Sequence, residues 1–187
     1  MEVIRKVYHG LNKVSAVAQK ILEGIVAFLI LTCALDLFFQ VIYRFIIIKF
    51  FSFSFPFTEE YARYALIWVT YLCAGMCLKN GSMASVNFIY DRLKPTPRKA
   101  LYFATRVLFI IFLIVGIRFG FQHILNSQIY KSPVMRVPGV YLYSAPFVGC
   151  CLMIYELITE ILGVIVGEIE PFVGRPEKTS EEMEEIE

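Results

Sequence analysis

Four apolar blocks, each set off from the next by charge or proline, constrain this chain more than any motif in it. A helix rising 1.5 Å per residue needs about 20 apolar residues to cross roughly 30 Å of hydrocarbon. The blocks fall at about 21–43, 61–79, 100–125 and 140–166, so each is long enough. Backbone groups in hydrocarbon must be satisfied within their own segment, which long blocks achieve as helices, whereas barrel strands would show short alternating runs. The sequence therefore predicts an all-α integral membrane protein with four transmembrane helices.

Composition agrees: 58% of the 187 residues are hydrophobic, against roughly 45–50% in a soluble domain. The net charge of +2 matters less than its placement. Arg5, Lys6, Lys13 and Lys20 precede the first block, and Lys79, Arg92, Lys94, Arg98 and Lys99 lie between the second and third. The other connections hold only Arg44 and Lys49, and Lys131 and Arg136. The positive-inside rule then places both termini in the cytoplasm and the Glu59/Glu60 end of helix two outside. The first block is too long for a cleavable h-region and reads as a retained signal anchor.

Residues 1–20 place Val3, Val7, Leu11, Val14 and Ala18 at helical spacing against a basic face. They predict a cytoplasmic amphipathic helix, either on anionic lipid or packed beside another subunit. Residues 45–57 and 83–94 read as interfacial segments, and 167–187 as an acidic, disordered cytoplasmic tail. Helix two announces its start: Thr58 as N-cap, Glu59 and Glu60 in the first turn, and Arg63 at pairing distance from both.

Charges inside the blocks need partners. Thr32, Asp36, Gln40 and Arg44 form a polar line along helix one. An intramembrane carboxylate such as Asp36 is expensive unless matched, and Arg118 on helix three stands at similar depth, so the two are expected to pair. Arg106 is expected to meet Glu156 in the same way. Such pairs would lock a four-helix bundle; the other reading of Asp36, Arg118 and Glu156 is an ion or proton path. Gly116 and Gly120 have GxxxG spacing, which lets another helix come close.

Nothing points to catalysis or to a bound group. His9 and His123 cannot supply the paired imidazoles of a membrane haem protein, and no phosphate loop, zinc spacing or nucleophile motif occurs. Cys33, Cys73, Cys77, Cys150 and Cys151 lie in apolar blocks without a C-x-x-C and read as buried structural thiols. No cofactor, metal or nucleic-acid partner is expected; membrane lipids are. Two other classes stay open, a stand-alone proton-coupled exporter using Asp36 and a membrane thiol–quinone oxidoreductase.

The order of QVIYRF at 40–45, FTEEYARYALIWVTYLCAG at 57–75, LKNGS at 78–82, VNFIYDRL from Val86 and SPVMRVPGVYLYSAPFVG at 132–149 resembles the DctQ-type family, the small membrane subunit of tripartite ATP-independent periplasmic (TRAP) transporters. The resemblance covers most of 21–162. It departs where that family usually has a His and an Asp after helix two; here Met83 and Asn87 stand instead, so no role for those side chains carries over. The resemblance implies a non-catalytic subunit in a bacterial inner membrane. It would brace a large DctM-type transport subunit that takes up an organic acid with sodium, and help dock a periplasmic DctP-type substrate-binding protein. On that basis Tyr43, Arg44, Glu59, Glu60 and Arg136 are candidates for docking, although capping alone explains Glu59, Glu60 and Arg63 equally well. Trp68, Gly75, Gly116, Gly120 and Pro146 are candidates for helix packing or for the large-subunit interface.

Overall fold

In the computed structural model, which describes residues 2–45, 56–80 and 95–169, every long apolar block is a helix. We number them α1 (Glu2–Phe45), α2 (Pro56–Lys79), α3 (Pro95–Asn126) and α4 (Val140–Val166). A single 3-10 turn, Ser127–Ile129, follows α3. All four helices are long and apolar enough to span a membrane, which makes this an all-α, four-span membrane protein.

The helices pack around α4. It contacts α2 on one side and α3 on the other, while α1 lies against α2 and, more lightly, against α4. Side-chain pairs give the directions. Gln19 meets Asn80 and Thr32 meets Tyr61, so α1 and α2 are antiparallel; Gly75 faces Leu152 and Gly149 faces Tyr71, so α2 and α4 run together. The bundle thus has a loop end, holding the 127–139 connection, and an arm end, holding the start of α1. Its apolar centre joins Leu78 of α2, Leu113 of α3, and Met153 and Leu157 of α4.

Several expectations are corrected. The 1–20 arm and the first span are one uninterrupted helix of 44 residues, about 66 Å long. The change from basic to apolar composition near residue 20 carries no proline, and Gly10 and Gly24 only weaken a helix locally. One face of the arm packs within the chain, where Tyr8 and Ser15 are buried against α4. Helix two is already helical at Pro56, so Thr58 lies inside it rather than at its N-cap.

The end of α4 is a Schellman turn. Gly167 takes φ 83, and Gly167 and Glu168 donate to the carbonyls of Val164 and Gly163. That turn brings Glu168 back onto α1, where Arg5 Nε lies 3.0 Å and His9 Nε2 3.2 Å from its carboxylate. Glu168, placed by sequence in a disordered tail, is therefore held. Of the expected interfacial segments, 46–55 and 83–94 lie outside the described residues, as do Met83, Asn87 and the tail from 170.

Candidate functional site

Polar side chains gather in two layers, one at each end of the bundle. At the loop end the organising group is Glu60, on the first turns of α2 and only 8% exposed. Its carboxylate accepts hydrogen bonds from the Ser132 hydroxyl, from the Met135 backbone N–H at 2.8 Å and from the Tyr64 hydroxyl at 2.9 Å. The loop it holds is also closed on itself: Ser132 N–H donates to Val137 and Gly139 N–H to Tyr130, with Arg136 in the left-handed region at φ 54. Gly139 is needed there, since a Cβ would come within 3.2–3.3 Å of two carbonyls and the Tyr143 ring.

This geometry divides the residues expected to dock. Glu60 faces inward and clasps the loop, so its carboxylate is not offered to solvent. No ion pair joins Arg63 to Glu59 or Glu60 among the described residues, because Glu60 is committed to the loop and Glu59 points to the other side of α2. Glu59 instead borders an open groove of about 560 Å³ with Gln40, Tyr43 and Arg44 at the end of α1. Arg136 is exposed on the clasped loop, and Ile129 and Tyr130, at the same end of the bundle, are 90% and 69% exposed.

The arm end is a layer of matched acids and bases. Arg106 Nη2 lies 2.6 Å from Glu160 Oε1, and the Tyr102 hydroxyl donates to the same oxygen at 3.0 Å. Tyr102 is fully buried with the Arg106 guanidinium 5.2 Å from its ring centre, so the cation is held by both charge and ring. Glu156 accepts from Ser15 of α1 at 2.7 Å, and the Tyr155 hydroxyl donates to the Leu11 carbonyl at 2.8 Å. Glu156 and Lys79 border one cavity of about 20 Å³ between α1, α2 and α4, about the space of a single water.

Two expected pairings are therefore corrected. Arg106 takes Glu160, one turn past Glu156, while Glu156 turns to α1. Asp36 accepts from Gln40 Nε2 at 2.8 Å, and no ion pair joins it to Arg118 among the described residues; α1 packs chiefly on α2, and α3 on α4. Arg118 is exposed on the outer face of α3. The thiols are free, and Cys77 and Cys151 are exposed on the bundle surface rather than buried.

The residues expected to pack helices do so within the chain, all on α4. Trp68 Nε1 donates to the Tyr141 carbonyl at 3.0 Å, and Gly75 admits Leu152. Gly116 and Gly120 admit Cys150 and Phe147, and Pro146 lines a groove with both glycines. Sequence reasoning missed a close approach of α2 to α4: a Cβ on Gly149 would sit 2.8 Å from Tyr71 Cβ. The signal was Ala145 four residues earlier, a small-x-x-x-small pair. It also missed Tyr102, although that residue stands one helical turn before Arg106, and it set Glu160 on the face of Glu156 without choosing it as the partner of Arg106.

Comparison with known proteins gives this arrangement a setting. Residues 33–167 match the model of the DctQ component of tripartite ATP-independent periplasmic transporters. A Haemophilus influenzae protein named as a TRAP transporter small permease is 29% identical over 111 residues, 58% of this chain and 67% of that protein. The isethionate TRAP transporter permease protein DctMQ of Oleidesulfovibrio alaskensis is 27% identical over 122 residues, 63% of this chain but 19% of that much longer protein.

Proposed function

Since this chain belongs to the DctQ component family of TRAP transporters and is a membrane subunit of such a transporter, we propose that it is the non-catalytic brace of the complex. In this reading the large subunit moves the solute while the present chain stays rigid beside it and offers its loop end to the substrate-binding protein. The arm end faces the cytoplasm and the loop end the periplasm of a bacterial inner membrane in this reading, which the placement of the basic residues supports. Uptake is driven by sodium and the solute is an organic acid; the name of one relative specifies isethionate.

The observation that carries the reading is the tying of neighbouring helices at both ends. Arg106–Glu160 ties α3 to α4, Ser15–Glu156 ties α1 to α4, and Glu60 ties α2 to the loop before α4. Ion pairs and hydrogen bonds between helices resist their separation. On the loop end, Glu59, Tyr43 and Arg44 around one groove and Arg136 with Ile129 and Tyr130 on the clasped loop form the docking face.

Reconstitution tests it. Liposomes containing this chain and the large subunit should take up solute only when the binding protein and a sodium gradient are supplied, and liposomes with this chain alone should take up none. Solute movement by the chain alone would overturn the reading.

A further inference from the structure

Arg118 carries a charge that the bundle leaves unmatched. It lies within the membrane-spanning stretch of α3, exposed on the outer face, and forms no ion pair among the described residues. A guanidinium facing hydrocarbon is costly unless its long stem carries the charge toward the interface or a counter-charge comes to meet it. Asn126, the last residue of α3, is eight residues further on, about 12 Å along the axis. The charge therefore stands inside the leaflet nearest the loop end.

Its surroundings offer a polar rim above an apolar slot. Gln122 and Asn126 follow Arg118 at steps of four, and both are exposed. At 3.6 residues per turn such a column winds sideways as it rises, and its upper two members border an open groove of about 560 Å³ between α3 and α4. His123 stands on the same rim, its ring centre 4.4 Å from that of Tyr143 on α4. Further from the loop end the groove is lined by Gly116, Phe119, Gly120 and Pro146, none with a polar side chain. Hydrogen-bond donors at one end and a smooth slot leading into the membrane suit a molecule with a polar head and an alkyl chain.

Charge selects the head. No Asp or Glu occurs anywhere from Pro95 to Tyr155, while Arg118, Lys131 and Arg136 all fall in the loop-end part of that stretch. Glu60, which reaches the loop from α2, is already engaged by Ser132, Tyr64 and the Met135 amide. We propose that the groove holds one anionic glycerophospholipid. Its phosphate is drawn down to Arg118 and accepts hydrogen bonds from Gln122 and Asn126, and one acyl chain lies along Phe119 past Gly120 and Gly116. Ordinary lipid covers the remaining apolar surface without regard to its headgroup; this site selects by charge. The assignment does not depend on the brace reading.

The test uses the purified full-length chain in phosphatidylcholine vesicles containing graded phosphatidylglycerol. With the single tryptophan removed by Trp68→Phe, Phe119→Trp puts a fluorescent reporter in the groove and Phe28→Trp puts one on the lipid-facing surface of α1; the two phenylalanines are 63% and 64% exposed. Quenching by lipids with brominated chains reads which lipid lies against each reporter. At residue 119 phosphatidylglycerol should be preferred over phosphatidylcholine about tenfold, the worth of a charge-assisted hydrogen bond, and at residue 28 by less than about twofold. Arg118→Gln should abolish the preference at residue 119 and Arg118→Lys should keep most of it, while unchanged quenching by brominated phosphatidylcholine at residue 28 checks that each variant remains folded in the bilayer. Inorganic phosphate should not displace the lipid. A benzophenone side chain at Phe119, irradiated in the assembled transporter, should couple to phospholipid. Equal preference at the two positions, a preference that survives Arg118→Gln, displacement by inorganic phosphate, or coupling of the benzophenone to another polypeptide instead of lipid would overturn the site.

Discussion

Gly149→Ala should separate α2 from α4, and the size of the effect follows from what the new methyl meets. It would lie 2.8 Å from Tyr71 Cβ and 3.0 Å from the Tyr71 carbonyl oxygen, atoms that no rotamer change removes. Ordinary carbon contacts are about 3.5–4.0 Å, so the helices must part by most of an ångström. Overpacking of this kind costs about 1–3 kcal/mol, and the rigidity of both neighbours places it near the top of that range. Replacing glycine by alanine in a helix returns about 1 kcal/mol, leaving a net loss of about 2 kcal/mol. Gly24→Ala is the control: nothing lies within 4 Å, so only the gain of about 1 kcal/mol remains. Unfolding of the purified chain in mixed detergent micelles, followed by helicity, reads the difference. Gly75→Ala and Gly116→Ala, with neighbours at 3.3 Å, should fall between the two. A Gly149→Ala chain as stable as Gly24→Ala would refute the packing argument.

Three further outcomes follow from the polar layers. In a double-mutant cycle of Arg106→Met and Glu160→Gln, measured in the same micelles, the coupling should be about 1–3 kcal/mol, since both side chains are mostly buried, at 22% and 17% exposure; a cycle of Asp36→Asn and Arg118→Met should show none. Glu60→Ala should raise hydrogen exchange at the Met135 amide and weaken capture of the binding protein while the large subunit stays bound; unchanged exchange would remove Glu60 as the clasp. Trp68→Phe should destabilise the isolated chain by about 0.5–1.5 kcal/mol through loss of the bond to the Tyr141 carbonyl.

The four spans were legible because length and apolar content decide whether a segment crosses hydrocarbon, and neither depends on the neighbours. Partner choice was not. Asp36 and Arg118 were matched by depth, but depth is one coordinate and the order of helices around α4 is another, which the sequence does not state; α1 packs chiefly on α2, and α3 on α4. Arg106 had two acids within reach on one face of α4, and only the rotation of that helix selects Glu160 over Glu156. Glu60 illustrates a different limit. Its spacing to Arg63 satisfies the local helical rule, yet a loop more than seventy residues away supplies two donors, and Tyr64 one turn along α2 supplies a third. The continuity of α1 was hidden by a change in composition that involves no change in backbone preference.

Rigidity is the property on which the brace depends, and spin labels read it directly. With the other exposed cysteine replaced, one label at Cys77 on α2 and a second at Phe112 on the outer face of α3 report the width of the bundle within the assembled transporter. Distance distributions by pulsed electron resonance should be narrow, single and unmoved when sodium and the solute-loaded binding protein are added. A second population, or a shift on addition, would show that this chain changes shape with the transport cycle and contradict the account.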